Sequence, residues 1–412
     1  MIECRVAYAI RHFFGKRQTM IDPFVADWLN LLLRWGHMIA GIAWIGTSFY
    51  FIALDFSLQK RAGLPEGVSG EAWEVHGGGF YHVQKYLSAP PALPDHLTWF
   101  KWEAYLSWVT GFLLLVVQYY LNAGSYLIDP AVMPLTDVQA VSISVLSIAG
   151  GWVVYDQLCR RLAISHPTLL IACVILLIGI AAYGFSHVYS GRGAFIHVGV
   201  FIGTMMAANV FMVIIPNQRK IVASLMKGER PDPIFGAMGK QRSLHNTYLT
   251  LPVLLMMVSN HYAFLTGHPQ SWMLILLIVL GGAALRHYLV RTEVGDEQRE
   301  IAWLLPVIGG VLGLAMFLTA PTGRNGYTGE VTDSEVLAIA QLRCVSCHAA
   351  KPADDTFSEP PKGVILDSLE GLRRHKLQIL VQAVNNNAMP LGNKTEMKDE
   401  ERAKLGAWLA RQ

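Results

Sequence analysis

The chain has 412 residues, 53% of them hydrophobic and only 15% charged, with a formal net charge of +3. Soluble domains carry about a quarter charged residues, so this balance points to a membrane protein, and the net charge is too small to suggest nucleic-acid binding. Five cysteines do not make a disulfide framework; Cys4, Cys159 and Cys173 are scattered and read as inert.

Residues 1–24 form an N-terminal extension without a continuous apolar run. No cleavable signal peptide is expected, so the first span directs its own insertion, and Met20 is an alternative start. A spanning helix needs roughly 20 mostly apolar residues. Eight such stretches follow, at about 28–54, 104–122, 138–158, 168–186, 194–215, 246–265, 271–290 and 301–320. The expected fold is all-α: an eight-helix transmembrane bundle over 25–322, then a small separate domain over 326–412. Trp28, Tyr120, Trp152, Trp272 and Trp303 sit near span ends, where interfacial anchors concentrate.

Lys and Arg set the orientation. The first, third, fifth and seventh connections between spans carry 14 of them, from Lys60 and Arg61 to Arg291 and Arg299, against Arg192 alone in the second, fourth and sixth. The positive-inside rule places the odd connections in the cytoplasm and both termini outside. Arg5, Arg11, Lys16 and Arg17 oppose this unless translation starts at Met20.

Polar groups within spans are costly and face the bundle interior or a cavity, where they mark function. In the first span, Arg34 and His37 are three apart and share a face with Trp44; the alternatives are a substrate site, or a snorkelling Arg beside a packing His. His187 and His197 flank the start of the fifth span, and the sixth carries His245-Asn246 at one end and Asn260-His261 at the other. On the orientation above, His37, His187, His197 and His261 form an outer cluster. Two histidines from facing helices could also hold a haem b. On the cytoplasmic side lies VHGGGFYHVQKY, residues 75–86, with His76, His82 and Lys85 around three glycines. It fits no nucleotide loop and reads either as a flexible connection or as a place of close backbone approach. Lys101, Trp102 and Glu103, with Asn217, Gln218 and Arg219, could clamp an anionic heterocycle through charge and amide edges.

The tail is polar and charged. Thr332-x-x-Glu335 is a capping-box pattern opening a helix that leads into Cys344-Val-Ser-Cys347-His348, the c-type haem attachment spacing. The thiols would bond the haem vinyls and His348 would ligate the iron. Met389, in NNNAMPLGN, is the expected sixth ligand, with Met397 as runner-up; His375, in LRRHK, reads as solvated surface. Domain size and terminal helices look like a small class I cytochrome c. Haem attachment outside the membrane agrees with the charge count.

The segments WGHMIAGIAWIGTSFYF, VHGGGFYHVQKY, WFKWEAY, VFMVIIPNQRK, RSLHNTYLTLPV and SNHYAF, followed by RCVSCH and AMP, resemble the membrane-bound urate oxidase family, an eight-span domain fused to a C-terminal cytochrome c. The resemblance implies oxidation of urate to 5-hydroxyisourate in purine breakdown. It also implies electrons passed to haem c and on to a soluble cytochrome c or terminal oxidase, without hydrogen peroxide, in a bacterial inner membrane with the cytochrome domain periplasmic. It carries over no catalytic residue. The physical reading favours Arg34, His37, His197, Asn260 and His261, with His76, Lys85, Glu103, Gln218, His245 and Asn246 as a second group. The first span also resembles small haem-b membrane oxidases, and a quinol-oxidising haem b/c subunit is the alternative function. A bilayer core about 30 Å thick poses a difficulty: one external haem cannot serve a cytoplasmic site.

Overall fold

The computed structural model describes residues 23–86, 96–320, 327–354 and 356–412. Residues 1–22 of the N-terminal extension, with the alternative start and the basic residues, lie outside the described residues, and the last two belong to the first helix. The chain is mostly helical. Its first helix, α1 (Pro23–Ser57), is followed by an antiparallel pair, β1 (Val68–His76) and β2 (Gly79–Tyr86). This corrects the all-α expectation, and the cause is local. Gly77 and Gly78 have φ of 58° and 81°, the two consecutive left-handed residues of the tight hairpin turn that twisted strands favour. The glycines of VHGGGF thus serve a turn. Trp73 and His82 then pair across the strands and stack at 4.2 Å.

The bundle continues with α2 (Trp102–Leu115), which passes into a π-helical segment at Val116–Tyr120, then α3 (Asp137–Leu162) and α4 (Pro167–Ser186). Next come α5 (Gly191–Ala208), a second π-helical segment at Asn209–Ile214, α6 (Ile215–Met226), α7 (Pro233–Val258), α8 (Ser271–Val294) and α9 (Leu304–Leu318). Six helical stretches among the described residues are long and apolar enough to cross a membrane: Phe24–Ser57, Asp137–Leu162, Pro167–Ser186, Gly191–Met226, Ser271–Val294 and Gln298–Leu318. The other two expected spans are helical but fall short of that standard. α2 has 14 residues before its π-helical turn, and α7 starts well before 246, carrying Lys240 and Arg242 in its first half.

Local chemistry fixes the helix ends. A capping box of Thr136 and Gln139 opens α3, and Arg160 and Arg161 close it, matching the helix dipole. α5 runs through the centre, with Phe195, Val198, Phe201 and Ile202 buried against Tyr155, Ile178, Leu274 and Ile275. The outer helices turn large apolar side chains outward, among them Leu31 and Trp35 of α1 and Leu176 and Ile180 of α4. A face of this kind needs lipid around it.

The C-terminal unit packs on its own core. α10 (Asp333–Arg343) opens with the Thr332–Glu335 capping box and meets α11 (Asp399–Ala410) through Val336, Ala340, Leu405, Trp408 and Leu409. Trp408 donates to Asp333 at 2.7 Å, and Arg343 pairs with Glu401 at 2.9 Å. The unit seats on one end of the bundle. The amide of Asn387 donates to the Gly267 carbonyl at 3.1 Å, and Ser125 and Thr356 share a hydrogen bond at 3.0 Å. A side chain at Gly267 would lie 2.6 Å from the Asn386 carboxamide, so close seating requires glycine there. The hairpin lies at the other end of the cavity described below.

Burial works against the Glu401 charge, yet the Arg343 guanidinium and the Lys398 amide outweigh it and hold the carboxyl below its usual range. A carboxyl depressed by folding adds stability above its unfolded pKa, and that stability is lost as the pH falls through the folded value. Hydrogen exchange of α11 in the full protein should therefore accelerate on acidification below about pH 4. In Glu401→Gln it should already be faster at neutral pH and show less acid dependence; identical profiles for the two would refute the pair's role.

Candidate substrate cavity

A partly open cavity of about 1170 Å³ lies between the α1–α2 pair and the α5–α7 pair. At the end nearest the C-terminal unit, the π-helical turn Val116–Tyr120 organises its polar groups. Such turns recur at functional sites because they displace side chains from the regular helical stripe. Gln118 accepts from the Arg34 guanidinium, and the Tyr119 hydroxyl accepts from Asn260 at 2.8 Å. Arg34, Gln118, Tyr119, Asn260 and His261 all line the cavity. Arg34 has no carboxylate within ion-pair distance among the described residues, so its charge is met only by a neutral amide. The buried carbonyl oxygen of Asn260 has no partner, and His261 makes no side-chain hydrogen bond among the described residues. His37 also lines the cavity, its Nδ1 held by the Ser107 carbonyl at 2.9 Å and the Thr110 hydroxyl at 3.1 Å. Because a carbonyl only accepts, Nδ1 carries the proton and Nε2 the lone pair.

At the hairpin end the lining includes Lys85, Asp55, Glu103, Gln218 and Asn246. Lys85 and Asp55 pair at 2.6 Å, which cancels their charges. Asn246 accepts from Asn209 at 2.9 Å and donates to the Met206 carbonyl at 3.0 Å. Behind it, fully buried Arg242 reaches Asp156 at 2.7 Å and Asn209 at 3.2 Å, and lies over the Tyr155 ring. Buried charges of this kind persist only when paired and hydrogen-bonded, so the network fixes that wall.

The cavity thus gathers Arg34, His37, Asn260, His261, Lys85, Glu103, Gln218 and Asn246. Three other candidates lie elsewhere. His197 is fully buried against Tyr189, with Nδ1 bonded to the Gly193 carbonyl at 2.8 Å and Nε2 to Ser144 at 2.7 Å; with both nitrogens engaged, it packs the core. His245 stands behind the lining, bonded to Tyr155 at 2.9 Å. His76 is exposed at the hairpin turn. Gln118 and Tyr119 were missed from the sequence. Gln118 is a lone amide within LLLVVQYYL and could have been found by the same intramembrane-polarity argument, but the π-helical turn that pairs it with Arg34 leaves no sequence signature. Asp156 and Arg242 carried the same signal.

In the C-terminal unit, Cys344 and Cys347 are free thiols; burial pushes the first up to about 11 and raises the second. His348 donates from Nδ1 to the Val364 carbonyl at 2.9 Å, leaving a lone pair on Nε2. Met389 is half-buried against the core and its carbonyl accepts from Arg402 at 2.6 Å, whereas Met397 is buried within the core. Two thiols, an imidazole nitrogen and a thioether are the donors this unit can offer a cofactor. Among the described residues no group of three or more His, Cys, Asp or Glu side chains is placed to hold a bare metal ion.

Fold and cavity together define a multi-pass helical membrane protein with an interior cavity that carries polar groups at both ends. Residues 23–319, from the start of α1 to the cap of α9, match the urate oxidase N-terminal family, and the chain belongs to that family. Membership makes it a urate-oxidase-related oxidoreductase. No curated protein and no solved structure matches the chain.

Proposed function

We propose that the protein oxidises urate to 5-hydroxyisourate at the Arg34 end of the cavity and delivers the electrons to a haem c held by its C-terminal unit. The observation that carries this reading is a cavity-lining guanidinium without a carboxylate partner among the described residues, at the end of the bundle on which the Cys-x-x-Cys-His unit is seated. On this reading the chain crosses a bacterial inner membrane eight times, with α2 and α7 crossing despite their polar groups, and the C-terminal unit is periplasmic.

The oxidation takes one urate and one water to 5-hydroxyisourate, two protons and two electrons. Arg34 holds the urate anion through a charge-assisted hydrogen bond, and the free carbonyl of Asn260 accepts from a ring N–H. His37, with a lone pair on Nε2, takes the proton that urate loses as it is oxidised. His261 is the base for the water that adds to the oxidised purine. Cys344 and Cys347 would hold the haem through thioethers, and His348, through its free Nε2, and Met389 would ligate its iron. The haem, when bound, accepts one electron at a time, so each urate requires two transfers and a downstream acceptor such as a soluble cytochrome c or terminal oxidase.

The test is anaerobic addition of urate to the purified oxidised protein, following the haem c α-band. Two equivalents of haem reduced per urate are expected. No reduction by urate, with quinol succeeding, would overturn the assignment in favour of a quinol-oxidising subunit.

A further inference from the structure

The cavity is longer than one site requires. Its lining on α1 runs from Arg34 to Asp55, about 30 Å of helix at 1.5 Å per residue, the full thickness of a bilayer core. Its volume of about 1170 Å³ exceeds the roughly 300–1,000 Å³ of ordinary small-molecule pockets. Between the two polar ends the lining mixes apolar side chains with small and polar residues, among them Ser48, Ser107 and Thr250. Gly41 of α1 and Gly203 of α5 both line the cavity, and no atom lies within 4 Å of where a side chain would begin at either. The open volume therefore continues past both glycines. Beside Gly203, the Thr204 hydroxyl accepts from Trp108 at 3.1 Å, which leaves its proton for a passing carbonyl oxygen.

Charge gives the path a direction. At the hairpin mouth Lys85 is neutralised by Asp55, and Glu103 stands nearby in the lining. At the far end Arg34 has, among the described residues, only an amide partner. An anion gains little on entering and most on arriving.

We propose that the cavity is a passage: the substrate anion enters at the hairpin mouth, on the opposite side of the membrane from the C-terminal unit, and travels through the bundle to the Arg34 end. This rests on the reading of the Arg34 end as the oxidation site, and it makes the protein a conduit for its substrate as well as an oxidase. One haem outside the membrane can then serve a substrate supplied from inside, because the substrate crosses and no second redox centre has to.

The experiment uses the full haem-loaded protein in sealed vesicles sorted by orientation, with radiolabelled urate on one side only. Bound label and haem reduction are read separately. Urate on the hairpin side should bind and reduce the haem, and Gly203→Phe or Gly41→Phe should slow both at least tenfold, with ascorbate reduction and thermal unfolding unchanged. Binding and reduction only from the C-terminal-unit side would overturn the passage and leave the urate assignment standing. So would hairpin-side rates left unchanged by both phenylalanines. Failure from both sides, and in detergent, would overturn the two together.

Discussion

Arg34→Gln should weaken urate binding by about 10- to 100-fold, as a hydrogen bond to a charged group is worth about 1.5–3 kcal/mol and each 1.4 kcal/mol is tenfold. Gln118 supplies an amide and no charge, and Lys85, which lines the other end of the cavity, is committed to Asp55. The remaining cation whose charge reaches Tyr119 is Arg192, which is not part of the cavity lining. Arg34→Lys should fall between wild type and Gln, because an ammonium keeps the charge but loses the planar fork that matches adjacent oxygen and nitrogen edges. Equilibrium dialysis with radiolabelled urate on the purified full chain measures all three. An Arg34→Gln protein that binds urate as tightly as wild type would reduce Arg34 to a snorkelling side chain satisfied by Gln118.

What sequence could convey here divides along physical lines. Long apolar helices such as α4 and α8 are legible because hydropathy alone decides them, and the Thr332–Glu335 cap is legible because it is local chemistry. The hairpin was hidden because VHGGGFYHVQKY sits in a region read for its ligands; its strand alternation and two-glycine turn were present in the sequence. The site was half legible. Intramembrane polarity marked Arg34, His37 and Asn260, but the same argument selected His197, whose two nitrogens are consumed by Gly193 and Ser144. Periodicity places a residue on a face and is silent on what that face meets. The partners that decide each case, Gln118 for Arg34 and Ser144 for His197, come from other helices, and register between helices is set by packing.

His348→Ala should abolish electron acceptance from urate while leaving urate binding within about twofold, a shift of no more than about 0.4 kcal/mol. The loss follows from how the ring is held. The Val364 carbonyl can only accept, so it fixes the proton of His348 on Nδ1, at 2.9 Å, and keeps Nε2 as a lone pair in a fixed direction; such a carbonyl partner also raises the basicity of the ligating nitrogen. Cys347→Ser should have the same outcome by removing one of the two covalent attachments. Met389→Leu should be milder, retaining covalent haem with an altered potential. Binding survives in every case because Arg34, His37 and Asn260 belong to the bundle, whose core is separate from that of the C-terminal unit. Pyridine haemochrome spectra with urate dialysis on the same preparations separate the possibilities. A His348→Ala protein still reduced by urate would require an acceptor in the bundle, with the outer histidines the first place to look for a haem b. Loss of urate binding in that variant would mean that the seating at Gly267 and Ser125 shapes the cavity as well as bringing the acceptor to it.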